Sequence, residues 1–92
     1  MIVHVAIIKA ENVPGFNGEL YARLPGTGNL VAPVLSTGHA ILATCGTAIR
    51  DHAEKIAAEL PGATVLTLDI PGSHWPNRHE IESAIIASGA TA

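Results

Sequence analysis

Ala40-Ile41-Leu42-Ala43-Thr44-Cys45-Gly46-Thr47 and, further on, Val65-Leu66-Thr67-Leu68-Asp69-Ile70-Pro71-Gly72-Ser73-His74-Trp75-Pro76-Asn77 each end a strand-like run and open a helix within a few residues. If the two strands are parallel neighbours, both loops lie at their carboxyl ends, where open α/β sheets bind ligands. The pattern thus locates a candidate site before it suggests any activity. No motif in either loop is specific enough to fix a reaction.

Working outward, the segment between the two runs is the clearest helix, from about Ala48 to Leu60. Ile49, Ala53, Ile56 and Leu60 recur at helical spacing and make one apolar stripe. The other face pairs Arg50 with Glu54, Asp51 with Lys55 and Lys55 with Glu59, each one turn apart. Pro61-Gly62 stops it. Thr64 to Ile70 alternates, with Leu66, Leu68 and Ile70 on one face and Val65, Thr67 and Asp69 on a wetter one. Asn77-Arg78-His79-Glu80 has the form of a capping box and opens a second helix through Ile81, Ala84, Ile85 and Ser88, ended by Gly89.

Upstream, Ile2 to Ile8 is β-branched and short, which predicts a first strand ending before the turn residues Asn12-Val13-Pro14-Gly15. Asn17-Gly18 is a hairpin signal, Glu19 to Arg23 reads as strand two, and Pro25-Gly26-Thr27-Gly28-Asn29 closes it. Leu30 to Leu35 is ambiguous, because Pro33 demotes it to an edge strand or an irregular crossing. His39 to Cys45 is the next strand. The order β-β-(β)-β-α-β-α predicts an α+β two-layer sandwich: a mixed sheet of four to five strands, both helices on one face, and a right-handed crossover between the last two strands. The other sheet face would carry small and intermediate residues suited to a dimer interface. Residues 1–92 read as one compact domain with the last three frayed.

A chain of 92 residues buries only somewhat more than roughly 60% of its unfolded surface, so association would add useful stability. Apolar residues are 48% and charged residues 14%, against about 25% charged in an ordinary soluble domain. That surplus argues for a homodimer. Net charge is −3, and the five Lys and Arg are spread over positions 9, 23, 50, 55 and 78, so no basic stripe for a nucleic-acid polymer is present. The eight carboxylates do not cluster into a DNA-mimicking face either. A single cysteine, Cys45, forms no internal disulfide and suits a reducing, cytoplasmic setting. The apolar start has no basic leader, and no run approaches the ~20 apolar residues of a membrane helix.

Two constellations carry the candidate ligand-binding residues. In the first, Thr44, Cys45, Gly46, Thr47 and Arg50 stand at a helix amino terminus, where unpaired N–H groups, a close-approaching glycine backbone, a hydroxyl and a cation suit a phosphate or carboxylate. The plainer alternative is that Thr47 caps the helix and Arg50 pairs with Glu54. A P-loop is not supported, since its Gly-Lys-Ser/Thr ending is missing. Cys45 as a nucleophile has no identifiable base, and a small buried residue at a strand end is the simpler reading.

The second constellation is Ser73, His74, Trp75, Arg78 and His79: Arg78 for charge, Trp75 for stacking on a base, Ser73 and His74 for hydrogen bonds. Alternatively Trp75 anchors the loop to the core while Pro76 and Asn77 start a helix. Five histidines invite a metal reading through Asp69, His74 and His79, but the spacing across Pro76 matches no metal motif, and neither a metal nor a cofactor is expected. His4 and His39 are expected to share a sheet face, and His52 to lie beside the apolar helix face, as packed or interfacial residues.

No motif identifies a family. The strand-rich start with Tyr21-Ala22-Arg23-Leu24-Pro25-Gly26, followed later by a helix and a strand, is similar over a small part of the chain to the partial RNase H-like fold of HicB antitoxins, without that family's acidic turn. Three readings follow. The first is a non-enzymatic binding protein, probed by loops 44–50 and 69–79, that holds a phosphate-bearing or other anionic small molecule, such as a nucleotide. The second is a regulator that inhibits a protein partner, as that resemblance implies. The third is a small hydrolase or lyase using His74 or His79 with Asp69.

Overall fold

The computed structural model describes residues 1–24 and 31–88, and leaves the side chains of Thr44 and Cys45 aside. It is an α+β fold. Strand β1 (Ile2–Lys9) is followed by a short 3-10 turn, β2 (Tyr21–Arg23), β3 (Val31–Pro33), β4 (His39–Thr47), α1 (Arg50–Ala57), β5 (Thr64–Asp69) and α2 (Arg78–Ala87). The expected closing turn at 25–29, the residue Leu30 and the expected frayed end lie outside the described residues.

β1 is the centre of the sheet. It pairs antiparallel with β4 on one side and with β5 on the other, in the order β4-β1-β5. β4 and β5 therefore run in the same direction but are not neighbours, which corrects the expected adjacent parallel pair. β2 and β3 form a second small sheet, joined to β4 through the bridge Val34–Ala40 and the turn in which Leu35 N–H donates to the His39 carbonyl at 2.8 Å. Asn17-Gly18 does not join β1 to β2, because β2 pairs with β3 instead. Pro33 is tolerated in β3 for a definite reason. Val34 N–H donates to Leu20 at 2.8 Å, so bonding toward β2 alternates through Val34 and Ala32, and Pro33 opposite Tyr21 stands where no donor is needed.

The two parities of β1 bury against different layers. Val3, Val5 and Ile7 join Ile41, Leu68 and Ile70 of the sheet and Ile81 and Ile85 of α2 in one cluster. Ala6 and Ile8 join Ala40, Leu42 and Ala57 with Val13, Leu60, Ala22 and Ala32 in the other. The two helices thus cover opposite faces of the sheet. The expectation of both on one face is corrected, and the free face imagined for a dimer is occupied by α1. Ala53 and Ala57, at 1% and 7% exposure, let α1 lie close to the alanine-rich side of the sheet. Ile81 and Ile85 are fully buried, each worth roughly 1.5–3 kcal/mol of apolar burial.

Candidate functional site

Because β4 and β5 run the same way, the loops that follow them open at one end of the sheet, on either side of the start of β1. The first loop begins inside β4. Leu42 pairs with Ala6 and Thr47 with His4, so residues 43–46 stand opposite Val5 alone as a bulge. Ala43 and Gly46 take the left-handed conformation there, at φ 54° and 63°. A Cβ on Gly46 would sit 2.6 Å from Val3 Cγ1 and 3.3 Å from the His4 carbonyl oxygen. The glycine therefore makes room for β1, not for a ligand as the sequence suggested.

Thr47 does not cap α1. Its Oγ1 accepts from Ile49 N–H at 3.1 Å, and the residue at the cap position is Ile49, extended and without a side-chain cap. The helix starts two residues later than expected because β4 runs on through Gly46 to reach His4. Arg50 then occupies the first turn, and its Nε donates to Glu54 Oε1 at 3.1 Å with both side chains more than half exposed. This is the pairing weighed from the sequence as the plainer alternative.

In the second loop the capping box is fully formed. Glu80 N–H donates to Asn77 Oδ1 at 2.9 Å, and Asn77 N–H to Glu80 Oε1 at 3.3 Å. Pro76, not Trp75, is the buried residue of this loop, and Trp75 is 40% exposed. Ser73, His74 and His79 are exposed. Arg78 turns along α2 to Glu82, at 3.3 Å. An open cleft of about 750 Å³ between β5 and α2 gathers His79 with Asp69, Asn77, Glu80 and Ser83. Arg50 lies in a different, smaller hollow with Glu54, Ala58 and Thr64. Both loops thus share an end of the sheet, while their two arginines turn along their own helices.

The histidines divide differently from expectation. His4 shares a 2.9 Å hydrogen bond between Nδ1 and Thr67 Oγ1, His52 is exposed, and His39 pairs with Lys9, on the opposite parity of β1 from His4. His39 is 5% exposed, with Nδ1 3.3 Å from Thr37 Oγ1. It lines a cleft of about 770 Å³ with Lys9, Glu11, Glu19 and Thr37 at the far end of the sheet. Sequence reading missed this cleft, because its residues come from three separate segments with no spacing in common. Among the described residues no group of His, Cys, Asp or Glu is arranged to hold a metal ion, and no helix is long and apolar enough to cross a membrane.

No protein-family model, no curated protein and no solved structure matches the chain.

Proposed function

We propose that the chain is a small non-enzymatic binding protein that takes an anionic small molecule, phosphate-bearing or carboxylate, at the end of the sheet where loops 44–50 and 69–79 emerge. The observation that carries this reading is the contrast between the two helix starts. α2 is closed by its own capping box, whereas the first turn of α1 has no side-chain cap and leaves N–H groups for a ligand. Arg50 and Arg78 support it: each pairs with a carboxylate one turn away, Arg50 with the exposed Glu54, an interaction worth about 0.3–0.5 kcal/mol that an anion displaces easily, and Arg78 with the half-buried Glu82.

The test is a titration with inorganic phosphate and with adenosine monophosphate, followed by backbone amide shifts. The expected result is saturable movement at Arg50 and Asp51. Arg50→Ala should weaken binding by about tenfold or more, as loss of a charge-assisted hydrogen bond does, while leaving the melting temperature nearly unchanged. Amide shifts that are absent, or scattered without saturation, overturn the reading.

A second reading, a regulator that binds a protein partner in the cytoplasm, is favoured by one observation. Leu20, Tyr21 and Val31 of the β2–β3 region are 78%, 48% and 46% exposed, an unusual concentration of large apolar side chains. A pull-down returning a stoichiometric protein, lost on Tyr21→Ser with the fold intact, would favour this reading over the first.

A further inference from the structure

The strongest unpartnered feature among the described residues is the outer edge of β5. Met1 and Ile70 exchange both hydrogen bonds, each at 2.8 Å, which fixes the phase of the β1–β5 ladder. Counting by twos, Ile70, Leu68, Leu66 and Thr64 direct their N–H and C=O groups to β1. Val65, Thr67 and Asp69 direct theirs outward. Among the described residues β5 pairs only with β1, so these three donors and three acceptors have no strand partner there.

Edges of this kind are normally blunted by shortness, by lysine or proline, or by a bulge. The opposite edge of the assembly, β2, is only three residues long and carries Arg23. β5 has six residues, an unbroken register, no proline and no lysine, and its one charge stands at its end. Space also exists on both sides of it. On the α2 side the cleft beside Thr67 and Asp69 is walled by the small residues Ser83, Ala84 and Ala87. On the α1 side a hollow of about 400 Å³ is walled by Ala57 and Ala58 next to Thr64 and Val65. A strand laid along this edge would alternate its side chains into the two.

We infer that the occupant is a second copy of this chain, paired antiparallel through β5 about a dyad at Thr67. The edge is complementary to itself. In that register Thr67 meets its own copy and Val65 meets Asp69 in both directions, each pair exchanging two hydrogen bonds. The same dyad runs the two α1 helices antiparallel on one face of the joined sheet. Arg50 and Glu54, paired with each other, line the hollow beside the edge. Arg50 borders both this surface and the proposed anion site, so the pairing is read from subunit mass and the β5 amides, and the anion site from the phosphate titration.

Sedimentation equilibrium and amide hydrogen exchange on the whole chain test it. The expected result is twice the 9.5 kDa subunit mass, with the Val65, Thr67 and Asp69 amides protected only at concentrations where the dimer is populated. Thr67→Lys places two like charges opposite each other and should weaken dimerisation by about tenfold or more. Thr67→Val, which loses only the hydroxyl bonded to His4, should remain dimeric. A chain that stays monomeric at every concentration overturns the inference. So does a dimer whose three outward amides exchange freely, since it pairs through another surface. If Thr67→Lys does not fold, the exchange pattern of the unaltered chain decides alone.

Discussion

Gly46→Ala puts the bulge in β4 to a quantitative test. Two separate costs add at this position. The residue has φ 63°, where an L side chain loses roughly 1–2 kcal/mol. The new methyl would also stand 2.6 Å from Val3 Cγ1, and Val3 is fully buried between α2 and the sheet, so it has nowhere to move cheaply. Overpacking of this sort costs about 1–3 kcal/mol more. The sum, about 2–5 kcal/mol, is a large share of the ~5–15 kcal/mol that holds a typical domain together. Gly38→Ala supplies the control. Gly38 has φ 82° with nothing within 4 Å of its would-be Cβ, so it bears the conformational cost alone. Urea unfolding of the two variants side by side should show Gly46→Ala less stable than Gly38→Ala by at least ~1 kcal/mol, with an unchanged slope. Equal stability of the two would refute the close approach of Gly46 to β1, and with it the register that sets Thr47 opposite His4.

Other substitutions probe the remaining joints. Ala43→Gly relieves a left-handed alanine at φ 54° and should raise stability by about 0.5–1 kcal/mol in the same urea assay, the strain relieved exceeding the added chain entropy. Asn77→Ala removes half of the capping box on α2 and should cost about 1 kcal/mol by thermal unfolding. Ile81→Ala empties a fully buried site and should cost roughly 2–5 kcal/mol, enough to show as partial unfolding by near-ultraviolet circular dichroism at room temperature. Glu54→Ala frees Arg50 from an exposed pair and should change stability by less than about 0.5 kcal/mol. The same change should tighten phosphate binding at α1.

What the sequence made legible follows from how local each signal is. The second helix was readable because Asn77 and Glu80 are three residues apart and bond to each other's backbones, a contact that needs nothing else in the fold. The alternation of β5 was readable for the same reason, and Leu66, Leu68 and Ile70 do lie together on the α2 side. The α+β class followed from the order of elements. Strand order did not, because it depends on which segments meet at a distance. The start of α1 was misjudged because Thr47 is a good capping residue in isolation, yet it belongs to β4, held by its pairing with His4. For the candidate site, the loops were legible as strand-to-helix junctions, while the turning of Arg50 and Arg78 toward carboxylates one turn along was visible in the spacing and was weighed only for the first.

One sequence signal bearing on strand order was present in β1. Val5-Ala6-Ile7-Ile8 is continuously apolar, the mark of a strand covered on both faces, and all four are buried. Such a strand cannot sit at the border of a two-layer sandwich with one face spare. It requires a layer on each side, which α1 and α2 supply. That requirement changes where association can occur. With both faces of the sheet covered, no open sheet face is left for association, and among the described residues the long strand edge without a strand partner is the outer edge of β5. An argument for self-association that began from small residues on an open face therefore moves to three hydrogen-bonding residues on an open edge, Val65, Thr67 and Asp69.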